Sequence, residues 1–207
     1  MSPAVAALLT RSASRQLHIV DEALFSRLRF PSLQSLHVLA PAPLRLDAAL
    51  EHLPHLRSLT IGAQTTSPSR LPPSVRRLAL SDCAASTNAA SILKLIDSVT
   101  ELRELHVKDC PHLKMPSMLE IASAERPLLE VLVWESPLSY APPVSLLALL
   151  LLHCPRLREL RLGASVPCPD VHELNRHVHE EKRLARAVHF RLVRGLDTVW
   201  SFGPDDR

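Results

Sequence analysis

The stretch of this chain nearest to a catalytic motif is His172-Glu173-Leu174-Asn175-Arg176-His177. Its residue types are those of the zinc-hydrolase pattern HExxH. There, two histidines four apart share a helix face and hold the metal, and the glutamate serves as base. Here the histidines are five apart, which rotates them about 140° from one another on a helix. His177 and His179 fall on nearly opposite sides. The expected role is a solvated polar helix face, and a histidine-dependent metal hydrolase is only a third reading behind two binding functions.

The other reactive side chains assemble even less. Cys83, Cys110, Cys154 and Cys168 stand in no metal-ligand spacing. Serines and aspartates are scattered without a Gly-x-Ser-x-Gly elbow, and four glycines supply no phosphate-binding loop. No catalytic, cofactor-binding or metal-binding residue is expected, and the chain is not expected to be an enzyme. Arg176, Lys182, Arg183, Arg186, Arg191 and Arg194 are interleaved with Glu173, Glu180 and Glu181, which suits a solvated helix with i,i+4 pairs better than a nucleic-acid site. A net charge of +3 agrees with that. The apolar run from Val144 to Leu152 is too short to span a hydrocarbon core of about 30 Å. Met1 to Leu9 lacks a basic segment of the secretory kind. Reduced thiols in the cytosol or nucleus are therefore expected.

The elements that would position any such residues are written as a repeat. A frame Leu-x-x-Leu-x-Leu runs through Leu33, Leu36, Val38; Leu56, Leu59, Ile61; Val75, Leu78, Leu80; Leu102, Leu105, Val107; Leu129, Leu132, Trp134; and Leu157, Leu160, Leu162. Ser14, Leu17, Ile19 fit weakly before it, and Ala187, Phe190, Leu192 weakly after it. Frames start 19, 23, 19, 27, 27, 28 and 30 residues apart. Proline stands two residues ahead of the frame at Pro31, Pro54, Pro73, Pro127 and Pro155, where it ends a helix and sets the backbone for a strand. The last two frame positions are two apart and so share one side of a strand. No repeat can bury its leucines alone, so stacking must supply the core. Between the strands, helical spacing predicts helices over Leu44–Leu53, Ser86–Val99, Pro116–Ala124, Pro143–Cys154 and Asp170–Arg186.

Across roughly residues 14 to 193 this pattern resembles the leucine-rich-repeat family. Cys83 and Cys110 each stand eight residues after the start of a frame, the second followed by Pro111-His112-Leu113. With Cys154-Pro155-Arg156-Leu157-Arg158-Glu159-Leu160-Arg161-Leu162, they are similar to the cysteine-containing repeats of F-box leucine-rich-repeat proteins, many of them fungal. The resemblance implies an α/β solenoid, with short parallel strands on the concave face and helices on the convex face. It also implies substrate recognition for a cullin-type ubiquitin ligase. The alternative is a free-standing scaffold or adaptor with no ubiquitin role. No F-box is found in the chain. Residues 1–13 read as a partial repeat or N-terminal helix, 14–195 as an array of about seven to eight repeats, and 196–207 as a C-terminal tail.

In such a solenoid the strand residues between the buried positions face the concavity. In order they are His18, His37, Thr60, Ala79, His106, Val133, Arg161 and Arg191, flanked by Gln16, Ser35, Ser58, Arg77, Glu104, Val131, Glu159 and His189. The candidate protein-binding residues are His18, His37, Thr60, Arg77, Glu104, His106, Arg161 and Arg191. Arg161 and Arg191 are expected on adjacent strands, so the expected partner is a protein with acidic groups near the C-terminal repeats. Neither nucleic acid nor membrane is expected as a partner, and the chain is expected to be a monomer.

Overall fold

The computed structural model describes residues 16–19, 32–40, 50–63, 70–82, 89–136, 138, 142–164, 173, 176, 190–194 and 198–202. The chain divides into two compact units, Met1–Glu101 and Leu102–Arg207, both mixed α/β. The first contains β1 (Gln16–Ile19), β2 (Ser35–Ala40), β3 (Ser58–Ala63), β4 (Arg77–Ser81) and the helix α1 (Ala89–Asp97). Its four strands pair in chain order, all parallel. The second contains β5 (Glu104–Lys108), α2 (Met115–Ser123), β6 (Val131–Glu135), α3 (Val144–His153), β7 (Glu159–Leu162), β8 (Phe190–Arg194) and β9 (Thr198–Phe202). Here β5 to β8 are parallel and β9 runs antiparallel to β8.

The repeat frame is the core. In the six frames from Leu33 to Leu162 every one of the three positions is buried, none above 4% exposed. Each such leucine contributes roughly 1.5–3 kcal/mol by leaving water. Strand pairing aligns the frames with one another, Leu36 beside Leu59 and Leu59 beside Leu78 in the first unit, and Leu105 beside Leu132 and Leu132 beside Leu160 in the second. Trp134 takes the third frame position at 0% exposed. Its indole Nε1 has no hydrogen-bond partner among the described residues, so the gain from burying the ring is offset by one unsatisfied donor.

The prolines ahead of the frames do more than end helices. The amide of the first frame residue donates to the carbonyl three residues back: Leu56 to Leu53, Val75 to Pro72 and Leu129 to Arg126, each at 3.1 Å, and Leu157 to Cys154 at 2.8 Å. Pro54, Pro73, Pro127 and Pro155 therefore occupy the second residue, the first corner, of a four-residue turn, the position their fixed φ suits. The next residue then receives two bonds from the following repeat. The carbonyl of Gln34 accepts from the amides of Arg57 and Ser58, and that of Arg57 from Arg76 and Arg77. In the second unit the carbonyl of Arg103 accepts from Glu130 and Val131, and that of Glu130 from Arg158 and Glu159. One carbonyl thus starts each new strand in register.

The strand exits also repeat. Asp82 and Asp109, each seven residues after a frame start, hold φ of 50° and 47°. This is left-handed backbone, in which aspartate is among the tolerated side chains. Directly after Asp109, buried Cys110 is fixed by Ser136, whose Oγ accepts from the Cys110 amide and donates to the Cys110 carbonyl. The position of Cys83 lies outside the described residues.

Several expectations change. The helices α1, α2 and α3 lie within a residue or a few of their expected bounds. Of the helix expected over Leu44–Leu53 only Leu50 falls among the described residues as helical, and Leu53 lies beyond it. The helix expected over Asp170–Arg186 is described only at Glu173 and Arg176, both helical. Residues 1–13 lie outside the described residues. Thr198–Phe202, expected within a tail, is a strand. The closing frame moves by two residues. Leu192 pairs with Leu160 and Arg191 with Glu159, so Leu192 takes the second frame position instead of Phe190. A two-residue slip keeps every side chain on its original face, and alternation in the sequence cannot distinguish the two registers.

Leu105→Ala should cost about 2–5 kcal/mol in urea unfolding. Asp109→Gly should leave stability equal or raised, whereas Asp109→Val should lower it by about 1–2 kcal/mol. Equal losses for Gly and Val would contradict the left-handed backbone at residue 109.

Candidate protein-binding face

Strand alternation gives each unit a second sheet face, opposite the leucine rows. In the first unit the face carries Ser35 and His37, then Ser58 and Thr60, then Arg77 and Ala79, all at least partly exposed. Their registers are Ser35–Ser58–Arg77 and His37–Thr60–Ala79, as the sequence columns place them. Gln16 and His18 register with Ser35 and His37. Ser35 Oγ lies 3.4 Å from His37 Nε2. This part of the face is mainly hydroxyl and imidazole, with one guanidinium.

The second unit differs in its electrostatics. Glu104, His106 and Lys108 lie on β5, Val131, Val133 and Glu135 on β6, and Glu159 and Arg161 on β7. Register sets Glu104–Val131–Glu159 in one row and His106–Val133–Arg161 in the next. Each charged row is thus split by a valine. Val133 is 4% exposed, although the sequence places it among the open positions. Lys108 registers with Glu135. Gly163 lies just beyond β7, and a Cβ there would come within 2.8 Å of the Glu135 Cα, so no side chain fits at that point.

Charges on this face pair within it. Arg161 Nη2 donates to Glu159 Oε1 at 2.7 Å, and His106 Nε2 lies 3.7 Å from Glu104 Oε2. Arg191, expected beside Arg161, registers with Glu159 instead, and Val193 takes the place beside Arg161. The expectation of two adjacent arginines that need an anion between them is therefore corrected: a carboxylate already stands in register with one and bonded to the other. Beside the face, at the residue after the first frame position, Glu130 bridges Arg103 at 3.0 Å and Arg158 at 3.1 Å. That ion pair ties three successive repeats together, and frame spacing alone does not reveal it.

The remaining reactive groups are closed off or lie apart. Cys110 and Cys154 are buried free thiols. Burial pushes the Cys154 thiol up to about 11, with Arg126 pulling weakly the other way, so at neutral pH it is a protonated core side chain and not a nucleophile. Cys110 Sγ donates to the Lys108 carbonyl at 3.2 Å. A pocket of about 330 Å³ in the first unit is lined by Leu50, Glu51, Pro54, Arg70, Leu71, Pro72 and Pro73, a set without nucleophile or imidazole. Among the described residues no group of three or more His, Cys, Asp or Glu could hold a metal ion, and no helix is long and apolar enough to cross a membrane. His172, His177 and His179 lie outside the described residues. No protein-family pattern matches the chain, and no curated protein matches it either.

The Cys154 shift has a pH signature. The unfolded thiol loses its proton near pH 9 and the folded one near 11, so between those values the unfolded state binds fewer protons and stability must fall as pH rises. Cys154 should contribute up to roughly 3 kcal/mol of alkaline loss. Cys154→Ala should be less stable than the natural chain at pH 8 and close that gap towards pH 11 in denaturant titrations. A constant gap would show that the thiol titrates alike in both states.

Proposed function

We propose that the chain is a leucine-rich-repeat array, a solenoid that binds another protein on the outward face of its strands. One observation carries this reading: eighteen frame positions are buried, while the described residues between them, Val133 excepted, line registered rows open at least in part to solvent. Such a division assigns stability to one side of each strand and leaves the other available for contact. The closed thiols and paired charges of that face suit recognition better than chemistry. The narrower form of the proposal, suggested by the cysteine-bearing repeats around Cys83 and Cys110, is substrate recognition for a cullin-type ubiquitin ligase in the cytosol or nucleus.

A photo-crosslinking side chain placed at Thr60 or Val131 tests the reading against the same group at Glu120, an exposed position on α2. Irradiation in cells should give a discrete adduct from Thr60 or Val131 and none from Glu120. Adducts from Glu120 alone would place the partner on the helices and overturn the proposal.

A further inference from the structure

We infer that the second unit's face accepts an extended partner segment with a basic and an acidic side chain two residues apart, and does not accept a uniformly acidic one. This rests on the binding-array reading and adds the partner's chemistry to it.

Glu104, Glu135 and Glu159 stand against Lys108 and Arg161, with His106 between them and Arg191 in register with Glu159. An acidic segment drawn to Arg161 would have to displace Glu159 from its 2.7 Å contact and then lie beside the remaining carboxylates. A basic segment meets the same difficulty from Arg161 and Lys108. The charges are nevertheless sorted by row. Glu104 and Glu159 flank Val131, while His106 and Arg161 flank Val133.

Rows two residues apart along a strand are separated by roughly 6.6 Å. An extended segment lying along β6 has the same spacing between alternate side chains. It can set a lysine or arginine over the glutamate row and an aspartate or glutamate beside Arg161 in the next. The residue between them points away from the face, because successive side chains of an extended segment alternate in direction. The pairs on the face do not forbid this exchange. The side chains of Arg161 and Glu104 are 46% and 38% exposed, and surface ion pairs of this kind are weak enough to be replaced. Complementary rows fix the segment's register and direction, which a single-sign patch would not do.

The test uses three synthetic peptides with the full chain: one of repeated Lys-Val-Glu, one of the same composition with all lysines in one half and all glutamates in the other, and oligoglutamate. Binding is read from the methyl resonances of Val131 and Val133. The alternating peptide should move both and bind at least about fivefold more tightly than the block peptide, with oligoglutamate giving no shift. The Glu104→Lys, Glu159→Lys double variant should lose the alternating peptide and gain oligoglutamate, with unchanged unfolding midpoint. Oligoglutamate binding the natural chain as well as the alternating peptide would overturn the inference. If no peptide bound while crosslinks from Val131 still captured a partner, the charge pattern would be wrong and the array reading would stand. Loss of both would remove the array reading as well.

Discussion

The strands β3, β4, β6 and β7 each begin on one carbonyl of the repeat before. The carbonyls of Gln34, Arg57, Arg103 and Glu130 each accept two amides from the next repeat, and the parallel ladder follows in the register they set. A parallel strand has no hairpin partner of its own and must find its hydrogen bonds in a neighbour that comes many residues later. That requirement explains the turn in front of the frame. Proline fixes one corner, the first frame residue closes the turn with its amide and buries its side chain, and the following carbonyl is presented to the next repeat. Removing the leucine would weaken both the core contact and the turn that aims the carbonyl.

Frame, prolines and helices were legible in the sequence because each reports a local constraint. Buried positions two apart, a corner residue with fixed φ and apolar spacing on a helix all act within a few residues. The misplaced features depend on distant ones. The position of β8 rests on whether Leu192 or Phe190 stands beside Leu160, and the two choices have the same alternation. Val133, in register between His106 and Arg161, is buried although its place in the repeat is an open one. The strand β9, antiparallel to β8, carries no repeat frame that would announce it. The exit turns are an intermediate case. Asp-Cys occurs at the same frame position twice, at Asp82-Cys83 and Asp109-Cys110, and the repeated aspartate could have signalled the left-handed backbone that both adopt.

The same separation of local from distant explains the electrostatic correction. Read along the chain, Arg161 and Arg191 are two cations on successive strands. In three dimensions Glu159 is bonded to the first and registered with the second. A charge column read from sequence is only as good as its weakest register, and an error of two residues turned a complementary pair into a repulsive one.

Core and face are not equally free to change. Substitutions on a solvated sheet face usually cost within about 0.5 kcal/mol, whereas core truncations cost several times that. Ser35, Ser58 and Thr60 fall in the first class, so the first unit's face can vary without loss of the fold. The second unit's face is more constrained. Val133 is buried, Gly163 has no room for a side chain beside Glu135, and Glu130 joins Arg103 and Arg158 at its margin. A polar replacement at Val133 or a larger residue at Gly163 would disturb packing as well as contact. Stability therefore holds the valine strip of β6 in place and leaves the charged residues on either side of it freer to change, and under the proposed binding role these are the residues that would set the choice of partner.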